Sequence, residues 1–169
     1  FIEMICYGKK IVFSGDIGRS NSTLLSPPSI IEECDYLVME STYGDRNHEA
    51  TPARDELSGV INECVNDQGN TLIPSFAVGR AQELMHIINE LKKDVRIPDI
   101  PVFMDSPMGA KATNLLSKYP AWHKLTPEQS RAVFNNIRIV TDFHETKSVI
   151  ADHRVKIVIA ASGMLTGGR

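Results

Sequence analysis

The sequence predicts an α/β fold, a mainly parallel sheet flanked by helices, with a short antiparallel segment ahead of it. Three observations predict it. Short apolar runs recur along the chain, each the length of a strand buried on both faces. Amphipathic helical stretches separate them, the alternation of a chain built from βαβ units. Each run ends in polar or glycine residues, as strands do where they open into turns.

Residues 1–18 read as a hairpin. Phe1-Ile2-Glu3-Met4-Ile5-Cys6 alternates, Tyr7-Gly8-Lys9-Lys10 has turn composition, and Ile11-Val12-Phe13 runs into Ser14-Gly15-Asp16. Ser, Asn and Pro dominate 19–29, which reads as loop. From Cys34 onward strands alternate with helices, and the predicted strands are 36–41, 71–76, 102–105, 137–141 and 155–161. Leu57, Val60, Ile61, Cys64 and Val65 fall on one helical face, and Gly69 ends that helix. Val78, Ala81, Leu84, Met85, Ile88 and Leu91 repeat the pattern, with Lys92 and Lys93 at the C-terminal end, where the macrodipole favours cations. Thr126-Pro127-Glu128-Gln129 joins an N-cap, a proline at the first helical position and a capping-box glutamine, and opens a helix over 127–136. Fainter periodicity covers 110–118 and 145–152.

With 169 residues, 42% hydrophobic and 23% charged, the chain can bury a core, which excludes disorder, collagen and coiled coil. Its longest apolar stretches, such as 157–161, are strand-sized, against the roughly 20 residues of a membrane span, so no membrane partner is expected. Eighteen basic residues against twenty-one acidic give a net charge of −3, so any contact with a polyanion must be local. Cys6, Cys34 and Cys64 are far apart with no C-x-x-C, which indicates neither a disulfide scaffold nor a zinc ribbon and fits a reducing, cytoplasmic setting. The first residues read as a strand in progress and the last stop inside a turn, so a fragment of a longer protein is expected.

Ligands of open α/β sheets gather beyond the carboxyl ends of the strands. Those ends deliver Ser14-Gly15-Asp16, Glu40-Ser41-Thr42-Tyr43-Gly44, Ser75 to Arg80, Asp105-Ser106-Pro107 and Ser162 to Arg169. Glycine turns at helix N-termini expose backbone N–H groups, for which phosphate is a natural guest. Gly163-x-x-x-x-Gly168 is followed by Arg169, where a P-loop needs Lys and then Ser or Thr, and the sequence has no G-x-S-x-G and no G-x-G-x-x-G.

The order of these blocks carries more than any one of them. Ser-Gly-Asp-Ile-Gly-Arg at 14–19, Glu-Ser-Thr-Tyr-Gly-Asp-Arg at 40–46, Pro-Ser-Phe-Ala-Val-Gly-Arg-Ala-Gln-Glu-Leu at 74–84, Asp-Ser-Pro-Met at 105–108 and Ala-Ser-Gly-Met-Leu-Thr-Gly-Gly-Arg at 161–169 resemble the β-CASP group of metallo-β-lactamase-fold nucleases. The resemblance covers essentially the whole chain, and the second and last blocks look most like the RNA-processing branch. It implies a remnant of an αββα metallo-β-lactamase domain over 1–42 and an incomplete β-CASP domain over 43–169. It implies zinc-dependent hydrolysis of RNA entering between the two domains, with two zinc ions and admitting a homo-oligomer. By position Asp16 matches the metal-bridging aspartate, and Glu40 matches the acid that supports a downstream histidine in proton transfer. Ser75, Arg80, Ser106, Ser162, Gly163, Gly167 and Gly168 match segments facing the substrate. Two metals would lower the pKa of a shared water, and an arginine could donate to the phosphate oxygens.

Local readings stand beside these. Asp16 could close a turn, Glu40 could be a surface acid, the three serines could be N-caps or turn hydroxyls, and Arg80 could simply occupy a first helical turn or orient Glu40. Trp122 and His123 read as core or interface packing. The family's H-x-H-x-D-H motif and its later histidines would lie outside residues 1–169, and none of His48, His86, His123, His144 and His153 pairs at metal-binding spacing. This segment alone is therefore expected to be inactive. A DNA nuclease of the same group and a catalytically dead RNA- or partner-binding scaffold are the alternatives; endonuclease and exonuclease action both stay open.

Overall fold

A computed structural model describes residues 1–47 and 51–161. The chain divides into two compact units, Phe1–Ala50 and Thr51–Arg169.

In the first unit β1 (Ile2–Cys6) and β2 (Lys9–Phe13) pair antiparallel, from Ile2 opposite Phe13 to Cys6 opposite Lys9. Tyr7 and Gly8 take φ of 50° and 74°, the two left-handed residues that a two-residue type I′ turn demands. The turn is therefore shorter than 7–10. Lys9 and Lys10 belong to β2, where they pair with Asp35 at 2.6 Å and Glu3 at 3.1 Å.

The strand predicted at 36–41 is a correction. β3 (Tyr36–Val38) lies parallel to β2, completing a three-stranded sheet with the hairpin, and has no place in the large parallel sheet. Asp35 explains the docking. Its N–H donates to the Lys10 carbonyl and its carboxylate accepts from the Lys10 N–H, both at 2.9 Å, which pins the start of β3 to β2. β3 is exposed along its length, so the expected burial on both faces does not apply to it.

The second unit holds a parallel four-stranded sheet, β4 (Thr71–Pro74), β5 (Val102–Asp105), β6 (Arg138–Val140) and β7 (Ile157–Ala160), in the order β4-β7-β5-β6. Among the described residues five α-helices accompany it: α1 (Ala53–Asn66), α2 (Arg80–Lys93), α3 (Pro107–Lys118), α4 (Pro127–Asn135) and α5 (Phe143–Ala151). The α/β class with a parallel sheet is thus observed. Alternation along β5 sends Phe103 to one face, where it packs with Val140, Val149 of α5 and Val158. Met104 goes to the other, where α3 comes so close that a Cβ on Gly109 would sit 3.1 Å from its sulfur. All four residues of β5 are buried, as a central parallel strand requires, whereas Leu72 on edge strand β4 is exposed.

The helix periodicities place Ile61, Ala81, Met85, Ile88 and Leu91 in the core, but Val60 and Val78 are exposed. Val78 precedes α2 rather than riding on it. α3 starts at Pro107 and not at 110, because Ser106 caps it. Of the core or interface packing expected for Trp122 and His123, the core holds for His123, which is buried, and not for Trp122, which is exposed and stacks on Tyr119 with ring centroids 4.6 Å apart. All three cysteines are free thiols. Among the described residues no helix is long and apolar enough to cross a membrane.

His86 is buried inside α2, and its Nδ1 has no partner among the described residues. Burial, helped by Arg54 and opposed by Glu90 and Glu83, pushes its pKa below the ordinary 6.5. Because the unfolded chain then binds a proton that the folded site resists, His86 favours folding above about pH 6.5, and that contribution is lost as pH falls toward its folded pKa. Melting temperatures measured across this range should decline more steeply for wild type than for His86→Leu. Equal slopes would show that His86 does not drive the decline.

Candidate functional site

Because β2 and β3 run parallel, Phe13 opposite Val38, their continuations leave the sheet at one edge. Hydrogen bonds join them there. The Ser14 N–H donates to the Val38 carbonyl at 2.9 Å, and the Glu40 N–H donates to Ser14 Oγ at 3.1 Å. The Ser14 hydroxyl in turn donates to the Gly15 carbonyl at 2.6 Å. Gly15, at φ 59°, makes the turn that a Cβ would strain. The Ile17 N–H then donates to Glu40 Oε1 at 2.6 Å. That bond, with a smaller contribution from the Thr42 hydroxyl, holds the Glu40 carboxyl below its usual pKa of 4.5, so Glu40 is an anion at neutral pH.

Asp16 sits between Gly15 and Ile17 on this turn. Its side chain is exposed, and no hydrogen bond or ion pair to its carboxylate is made among the described residues. An open carboxylate on a fixed turn can take a cation. A dinuclear zinc site does not fit these residues by themselves, since among the described residues no three His, Cys, Asp or Glu side chains come together and one carboxylate is far short of zinc's usual four ligands.

The other predicted residues lie in the second unit. Ser75 follows β4, is buried, and donates its hydroxyl to the Phe76 carbonyl at 3.1 Å, while its N–H reaches the Ala160 carbonyl at 2.9 Å. Ser106 is the N-cap of α3, its Oγ accepting the Gly109 N–H at 3.0 Å, with Pro107 opening the helix. Both hydroxyls thus serve nearby backbone. Arg80 begins α2, is exposed, and pairs with Glu83 one turn on at 3.3 Å. Ser162, Gly163, Gly167 and Gly168 lie outside the described residues.

Two residues shape these ends without having been singled out in the sequence. Ser14 joins β2 to β3 as above. Gln82, 1% exposed, accepts the Gly79 N–H at 2.8 Å and donates to the Ala77 carbonyl and the Thr113 hydroxyl at 3.0 and 3.1 Å. Its signal was available, because a glutamine three residues after a turn glycine is half of a capping box.

The Beta-Casp domain family matches residues 81–169, more than half of the chain. The chain is 32% identical to "Ribonuclease TTHA0252" of Thermus thermophilus and 35% identical to "RNase J-like protein" of Methanocaldococcus jannaschii, over 96% and 95% of its own length. It is 34% identical to "Transcription termination factor FttA" of the latter organism over 94% of its length. It spans 39% of each of the first two relatives and 26% of the third. With an α/β second unit, the ordered motif blocks and this match, the chain belongs to the β-CASP family.

Proposed function

We propose that the full-length parent of this chain is a zinc-dependent ribonuclease that hydrolyses RNA phosphodiesters in processing or decay, and that residues 1–169 alone are inactive. The observation carrying this reading is the open Asp16 carboxylate on a turn fixed at the shared end of β2 and β3. Relatives named as ribonucleases support the substrate class. Asp16 would supply one carboxylate to the metals, which when bound provide a water acidic enough to yield hydroxide near neutral pH. The remaining ligands would come from outside this segment, consistent with the chain spanning 39% of two relatives. Glu40 stands next to Asp16 in this reading. Arg80, exposed and paired with Glu83 across solvent, can exchange that partner for a phosphate at small cost.

The test pairs the parent with the fragment on single-stranded RNA and on DNA of the same sequence. The parent should cleave RNA, stop on chelation and recover with zinc, while residues 1–169 should show no cleavage and retain well under one zinc per chain after dialysis. Chelator-sensitive cleavage by the fragment overturns its predicted inactivity. Preference of the parent for DNA overturns the substrate, and inertness toward both strands leaves the scaffold reading in its place.

A further inference from the structure

The Asp16 turn is held from one side by its neighbours and from the other by Glu40. Gly15, at φ 59°, makes the turn, and the Ser14 hydroxyl is already engaged, donating to the Gly15 carbonyl and accepting from the Glu40 N–H. Asp16 makes no side-chain bond among the described residues that could fix its own direction. The first anchor beyond it is the Ile17 N–H, received by Glu40 Oε1 at 2.6 Å. Glu40 is a good anchor because its own backbone is tied to Ser14.

From this geometry we infer that Glu40 is a positioning residue, which fixes the Gly15-Asp16-Ile17 turn by accepting the Ile17 N–H and so sets where the Asp16 carboxylate points. Its functional weight rests on the role proposed for Asp16. The task needs an acceptor oxygen at the end of a side chain of this length, not a proton carrier. Glutamine retains that oxygen; alanine does not.

The experiment follows amide exchange by mass spectrometry in the chelator-treated full-length parent, on peptides resolving Ile17 and, as a folding control, residues 9–13 of β2. Glu40→Ala should speed exchange at Ile17 by about tenfold or more, the effect of losing one hydrogen bond to a charged group, with β2 still protected. Glu40→Gln should stay within about threefold of wild type there. Ile17 exchange unchanged in Glu40→Ala, or equally fast in both variants, overturns the inference. Metal-loaded cleavage assays separate the two ideas. If Asp16→Ala leaves cleavage intact, the proposed function fails while the exchange result still stands; if Asp16 matters but Glu40→Ala does not, the positioning role fails.

Discussion

Asp16→Ala in the full-length parent is expected to lower RNA cleavage by more than about 100-fold, since changing even an outer partner of a metal ligand typically costs about 10–100-fold. The same substitution should leave stability within about 0.5 kcal/mol of wild type, because the side chain is exposed and bonds to nothing among the described residues. That separation gives the prediction its force. A turn aspartate that mattered for folding would move the unfolding midpoint; a residue spent on chemistry would move only the rate. Asp16→Asn sharpens the contrast, because it keeps the shape and a carbonyl oxygen but removes the charge a cation needs. Single-turnover cleavage measured beside urea unfolding would decide it. Wild-type cleavage by Asp16→Ala would return Asp16 to the ordinary role of a residue closing a strand end.

Local signals were legible where neighbours in sequence are also neighbours in space. The Thr126 cap is an example: its hydroxyl accepts the Gln129 N–H at 3.2 Å and the Gln129 side chain accepts the Thr126 N–H at 2.9 Å, a reciprocal pair readable from four letters. The hairpin and the buried stripe of α2 follow the same logic. What could not be read was set by distant partners. β3 looks like any short strand of the α/β region, and its partners in β2, among them Lys10 bonded to Asp35 from 25 residues away, assign it to the hairpin. The insertion of β7 between β4 and β5 is likewise invisible, since all three are similar apolar runs. Asp16 and Glu40 stand out both as residues at strand ends and by resemblance to a family. The bond through Ile17 that brings them into one arrangement depends on the parallel register of β2 and β3, which no local pattern encodes.

Gln82→Leu is expected to destabilise the chain by about 3 kcal/mol, the largest stability effect among the residues near the strand ends. The side chain is 1% exposed. Its two amide protons go to the Ala77 carbonyl at 3.0 Å and the Thr113 hydroxyl at 3.1 Å, with the Gly109 carbonyl a weaker third acceptor at 3.4 Å. Its oxygen takes the Gly79 N–H at 2.8 Å. One side chain therefore satisfies the loop before α2 and ties it to α3. Leucine fills similar space but leaves the Ala77 carbonyl and the Gly79 N–H without this partner, and groups stranded away from water cost about 1–3 kcal/mol each. The first position of the same helix provides the control. Arg80→Ala removes an exposed pair with Glu83 and should cost no more than about 0.5 kcal/mol. Urea unfolding of the two variants should therefore differ by a wide margin, although they are two residues apart. If Gln82→Leu unfolds at the midpoint of Arg80→Ala, solvent or a shifted backbone replaces the lost bonds, and the 75–79 loop is held by strand pairing at Ser75 rather than by the amide of Gln82.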